Sequence, residues 1–121
     1  MTGPQGDVVH LELHTSSSLA ALDFLSGLLD WHGEPVVSAG QTYLALGMGE
    51  WIGGGVVECG TVEAQWVPYV RVDSVDEATA RAARLGGCVL LGPRQGPHGR
   101  RSVVRTPSTG AIALWQPTAG Q

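Results

Sequence analysis

Residues 10–14 read HLELH: His10, Leu11, Glu12, Leu13 and His14. Two imidazoles flank a carboxylate, each polar group two positions from the next. Groups of these types can hold a transition metal, move a proton, or hydrogen-bond a polar ligand. Chelation requires them to converge on one ion. On a strand, alternate side chains share a face but rise about 6–7 Å apart. The spacing therefore predicts a polar stripe of His10, Glu12 and His14 along one wall, with Leu11 and Leu13 turned to the core. His10 and Glu12 are the candidate ligand-binding groups, and either could be a general base if the chain is an enzyme. His14 lies nearer the end of the stripe.

The segments around this stripe must position it. Residues 8–15, VVHLELHT, alternate and read as a strand. Residues 16–31 switch to helical period, with Leu19, Leu22, Leu25 and Leu29 on a stripe and serines ahead as caps. EPVVSA, TYLALG and WIGGGVVEC then read as three strands, the last opening at residue 51. The same order returns. Residues 66–72 predict a strand and 73–87 a helix, with Asp73 as cap and Gly86–Gly87 as its end. CVLLG, RRSVVRT and GAIALWQ predict three more strands. The chain is thus β-α-β-β-β twice, with module one at 7–59, a linker at 60–65 and module two at 66–117, together one domain. Matched without a gap, His10 falls opposite Trp66, Ser17 opposite Asp73 and Asp30 opposite Gly86.

Composition narrows the function. The chain has 121 residues, 43% of them hydrophobic, which suits a single buried core. Net charge is −4, and all seven basic residues are arginine, so a general nucleic-acid binder is disfavoured. No apolar run reaches the ~20 residues of a membrane span. The first residues lack the basic and apolar regions of a signal peptide. Cys59 and Cys88 show no pairing pattern, so a cytoplasmic chain with free thiols is expected. GMGEWIGGG lacks the lysine and following helix of a phosphate loop, and reads as a hairpin whose glycines permit close approach. Arg94, Arg100, Arg101 and Arg105 read as a solvated sheet edge. His32 and His98 read as loop residues.

The stretches HLELHT…ALDFLSGLLDWHGEP, WVPYVRVDSVDEATARAARLGGCVLLGP and GRRSVVRTPSTGAIALWQP carry a resemblance to the vicinal oxygen chelate superfamily. That superfamily includes glyoxalase I, extradiol dioxygenases, and fosfomycin- and bleomycin-resistance proteins. The likeness spans nearly the whole chain, and no single motif in it is diagnostic. It implies an α+β fold in which two βαβββ modules form a curved mixed sheet around a U-shaped cavity, with helices outside. It also implies a homodimer, in some members with exchanged modules.

Metal-dependent members place ligands on the first and last strands of each module. In this sequence those positions match His10, Trp66, Ala113 and Val57, with Glu58 beside the last. Trp66, Ala113 and Val57 offer no ligand atom. A catalytic metal is therefore not expected, nor any cofactor, and a further ion near His10 and Glu58 is left open. The resemblance points to the metal-free resistance branch, which sequesters a flat aromatic natural product, and the lysine-free, glycine- and alanine-rich, bacterial-looking composition fits antibiotic self-resistance. The ligand-binding set would be His10, Glu12, His14, Tyr43, Trp51, Trp66, Ala113 and Trp115, with Trp66 stacking on the ligand. Trp31 and Tyr69 are expected to be structural, Tyr69 on the helix-facing side. The alternative is a metal-free isomerase or cyclase of a natural-product pathway, with Glu12 or His10 as base. A metal-dependent lyase or dioxygenase is the third.

Overall fold

The computed structural model describes residues 6–38, 41–48, 53–58, 60, 64–96, 99–108 and 110–118, without the side chains of 37, 38, 41 and 42. The element order is β1 (Val8–Thr15), α1 (Ser18–Leu28), β2 (His32–Ser38), β3 (Gln41–Gly47), β4 (Gly53–Glu58), β5 (Gln65–Arg71), α2 (Val75–Arg84), β6 (Cys88–Gln95), β7 (Gly99–Thr106) and β8 (Gly110–Pro117). The fold is α+β, built from two βαβββ modules with mixed strand directions. Two compact units stand out, one of residues 10–67 and one of residues 68–121 joined by the first nine. The join is made by backbone: Gly6 N–H donates to the Arg71 carbonyl, and Arg71 N–H to that of Asp7.

In the first unit the strand order is β2-β3-β4-β1. β2, β3 and β4 run antiparallel, and β4 pairs with β1 in parallel, with His10 against Gly53, Glu12 against Gly55 and Leu13 against Val56. The core is Leu13, Leu46 and Val56, covered by Leu22 and Leu25 of α1 and by Trp31, Leu44 and Met48. Leu13 therefore faces the helix, and His10, Glu12 and His14 face away from it. Ser17 caps α1 by accepting from Ala20 N–H. The outer face of α1 is apolar, with Leu19, Phe24 and Leu28 each about two-thirds exposed (69%, 66% and 65%).

In the second unit the order is β5-β8-β7-β6. β5 and β8 are parallel, and the other pairs antiparallel. Val72, Val75, Val104 and Leu114 form its core, backed by Ala78, Ala82 and Ile112. The buried hydroxyls of Thr79 and Ser102 bond at 2.7 Å, and Thr79 also donates to the Val75 carbonyl. α2 differs from α1 on its outer face, where Asp76, Glu77, Arg81 and Arg84 are exposed. It ends as expected: Gly86 takes φ +96°, and Gly86 and Gly87 donate to the carbonyls of Ala83 and Ala82.

Three expectations shift. The cap of α2 is Ser74, whose hydroxyl accepts from Glu77 N–H, and Asp73 stands one residue outside. The modules therefore match one residue later than the gapless sequence alignment, Ser17 with Ser74. β6 also continues past CVLLG through Pro93 to Gln95, with irregular pairing against β7 on the way. His32 opens β2 instead of lying in a loop. Cys88 is free and exposed; Cys59 and His98 lie outside the described residues.

Candidate functional site

The strand alternation places His10, Glu12 and His14 on one face, but they do not stand apart as the spacing suggested. His14 Nε2–H donates to Glu12 Oε1 at 2.8 Å. His10 Nε2 lies 3.8 Å from Glu12 Oε2. One carboxylate thus spans both imidazoles, one oxygen to each. The strand rise separates the Cα atoms, and the longer glutamate side chain closes the gap to each neighbour. Glu12 is buried, with its side chain 8% exposed against 26% for His10 and 17% for His14. A buried carboxylate is tolerated only with hydrogen-bonding partners, and His14 is one of them. His10 is the most accessible of the three.

The glycine-rich strand explains where the His10 ring sits. A methyl at Gly53 would lie 3.0 Å from His10 Nδ1, and one at Gly55 would lie 3.4 Å from His10 Nε2. The imidazole therefore lies against β4, over these two glycines. On the other face, Gly54 is covered by Met48, whose sulfur would be 2.6 Å from a Cβ there. The close approach that these glycines permit is made, among the described residues, by the chain's own side chains. Tyr43 joins the His10 face: its ring edge is 3.6 Å from the same Gly55 position.

Module two carries a different group. Tyr69 pairs with Ala113, and Arg101 with Trp115. Leu114 belongs to the core beneath α2, so Ala113, Trp115, Arg101 and Tyr69 lie on the opposite face. Tyr69 is buried, as expected of a structural residue, but it faces away from the helix and its hydroxyl accepts from the Arg101 guanidinium. The arginine edge accordingly divides. Arg101 turns to Tyr69, whereas Arg100 makes a two-pronged bond to Asp76 in the first turn of α2, at 2.9 Å for each prong. That hydrogen bond holds the Asp76 carboxyl below its ordinary range and raises the Arg100 guanidinium. The Tyr69–Arg101 contact escaped sequence reasoning; the one signal for it is the β7 alternation that separates Arg100 from Arg101.

Trp66 meets Trp31 edge to face, with ring centroids 6.1 Å apart, and remains 40% exposed. With the modules matched through their serine caps, the residue opposite His10 is Val67, fully buried, and not Trp66. Trp51 lies outside the described residues. The structure thus brings together His10, Glu12, His14 and Tyr43 in the first unit, and Ala113, Trp115, Tyr69 and Arg101 in the second.

Glu58 Oε1 accepts from both the backbone N–H and the hydroxyl of Ser18, which opens α1. Those bonds, the backbone one foremost, lower the Glu58 carboxyl below its ordinary range. Gln116 Oε1 does the same for Val75 N–H, the first amide of α2. Glu58 is therefore the counterpart of Gln116, and Ala113 that of Gly55 rather than Val57. The four matched positions become His10, Val67, Gly55 and Ala113, of which one bears a ligand atom. Among the described residues, no three His, Cys, Asp or Glu side chains are arranged to hold an ion. This donor set does not fit the metal of the metal-dependent members.

No family model matches the sequence. Over 120 residues the chain is 31% identical to a protein of Mycobacterium tuberculosis provisionally named a glyoxylase, CFP32, and equally to the Mycobacterium bovis protein of that name. The match covers 96% of this chain and 46% of each relative, so the chain spans about half the length of these relatives. A hypothetical protein of Bacillus halodurans superposes with a TM-score of 0.67 at 13% identity, over 96% of this chain and 97% of that one. A variant of the methylmalonyl-CoA epimerase of Streptomyces coelicolor, in complex with 2-nitronate-propionyl-CoA, gives 0.63 at 15% identity over 96% and 97%. At such identities these structures speak for the fold. No described helix is long and apolar enough to cross a membrane.

Proposed function

Because the chain belongs to the vicinal oxygen chelate (glyoxalase) superfamily, we propose that module one carries a small-molecule site that moves a proton without a family metal, as an isomerase does. His10 takes a proton from the bound molecule and returns it at another position. The Glu12 carboxylate steadies the imidazolium formed in between, and His14 holds that carboxylate in place. The observation that carries the reading is the shared carboxylate, with Oε1 on His14 at 2.8 Å and Oε2 facing the more accessible His10. An acid–base group backed by an oriented, buried partner is the arrangement proton transfer needs. The names of the relatives, a glyoxylase and an epimerase, support chemistry on small carbonyl compounds.

The test is solvent deuterium uptake by a panel of small carbonyl compounds and their thioesters, followed by NMR in D2O. The protein should exchange at least one of them, and His10→Gln should slow that exchange by about 100-fold or more. Exchange that survives His10→Gln unchanged would overturn the assignment of His10.

A second reading is sequestration of a flat aromatic molecule, as in antibiotic self-resistance. It is favoured by one observation, the 40% exposure of the Trp66 indole, which leaves aromatic surface for stacking. Quenching of tryptophan emission by an aromatic ligand that is recovered unchanged, with no exchange on the carbonyl panel, would select it. A cytoplasmic homodimer belongs to either reading, and sedimentation of the purified chain tests the dimer.

A further inference from the structure

Glycine in a strand weakens it, because the unfolded chain gains freedom and no side chain packs. β4 nevertheless opens with three glycines in a row. Gly54 is required by its surroundings, since a Cβ there would stand 2.9 Å from the Leu46 carbonyl oxygen as well as against Met48. Gly53 is different. Among the described residues, the only atoms within 4 Å of a methyl at this position belong to the His10 ring, Nδ1 at 3.0 Å and Cε1 at 3.8 Å. A carbon at 3.0 Å from a ring nitrogen is tighter than ordinary contact, so the ring would have to give by a few tenths of an ångström. Its Nε2 end faces Glu12 across 3.8 Å, and a displaced ring changes that gap.

We infer that Gly53 is a positioning residue: its missing side chain lets the His10 imidazole lie against β4, and so sets the distance from His10 to the Glu12 carboxylate. Gly55 continues the same seat under Nε2, less tightly, at 3.4 Å. The inference rests on the proposed acid–base reading only for its functional meaning. The geometric statement stands without substrate, so its test uses the free protein.

The experiment is a cycle read by NMR of the ring nitrogens of His10. Glu12→Gln should move these signals in the wild-type background, because the carboxylate is their neighbour. In Gly53→Ala the same replacement should move them by less than half as much. In parallel, the effect of Gly53→Ala on Tm should be less favourable by about 4 °C or more in the wild-type background than when His10 is already alanine. An undiminished response of the ring signals to Glu12→Gln in Gly53→Ala would overturn the inference. If Gly53→Ala does not fold, the His10→Ala/Gly53→Ala variant decides. It folds if the ring is the only obstacle, and its failure to fold refutes the role. None of these readouts depends on turnover, so a missing enzymatic activity would sink the proposed function and leave the seat intact.

Discussion

Glu12 and His14, two residues apart on β1, are joined by a hydrogen bond of 2.8 Å that runs along the strand. Side chains at this spacing normally stand parallel. Here they bend toward each other because the carboxylate is buried and needs donors. His14→Phe removes this donor while keeping a ring of similar bulk. It should cost about 1–3 kcal/mol at neutral pH, the range for a buried polar group that loses its partner. Urea unfolding measures the loss, and a change below about 0.5 kcal/mol would mean that other partners suffice for Glu12.

The Thr79–Ser102 pair predicts an asymmetry. Thr79 keeps its bond to the Val75 carbonyl if Ser102 is removed. Thr79→Val, by contrast, takes from the buried Ser102 hydroxyl the neighbour it bonds at 2.7 Å. Thr79→Val should destabilise by about 1–3 kcal/mol, and Ser102→Ala by less. Thermal unfolding of both variants and the double variant gives the comparison; equal losses would deny the asymmetry.

The Arg100–Asp76 bond predicts a pH dependence. The folded Asp76 carboxyl titrates below its ordinary 3.8. Its stabilising effect is therefore complete above the unfolded value and is lost as pH falls through the folded one. Asp76→Asn should be less stable than wild type at neutral pH, modestly because the pair is exposed. The two proteins should converge in acid below the ordinary aspartate range. A difference that persists at that pH would assign the effect to something other than charge.

Ser74 gives a local test of the module match. Ser74→Ala should cost about 1 kcal/mol, as removal of a helix cap does. The first-turn amide of Glu77 should lose its protection from hydrogen exchange. Unchanged protection at Glu77 would return the cap to Asp73.

The order of elements was legible because alternation and helical period are written plainly into residues 8–31 and 66–92. The site was less so, and one residue explains much of the gap. Asp73 and Ser74 are both good caps, and Asp73 in that place sets the module match one position early. A strand has a period of two, so that slip transposes faces. It put Trp66 opposite His10 and turned Tyr69 toward the helix, whereas Tyr69 lies on the face with Arg101. The His10–Glu12–His14 stripe was read correctly as one face. Its convergence was not legible, because side-chain reach depends on rotamers and burial that spacing does not encode. The role of Glu58 was hidden likewise: nothing local says that a strand-end carboxylate will serve a helix roughly forty residues away in sequence.

The parallel pairing of β1 with β4 also has a kinetic meaning. β2, β3 and β4 are sequence neighbours joined antiparallel, so they can assemble by short closures. β1 is expected to follow, because its partner lies across a loop of roughly forty residues that contains α1 and two strands. His10 and Glu12 ride on that late strand. The proposed acid–base group would thus form at the last step of assembling its module. It would be among the first features to dissolve if β1 detached, long before the hairpins beside it lost their hydrogen bonds.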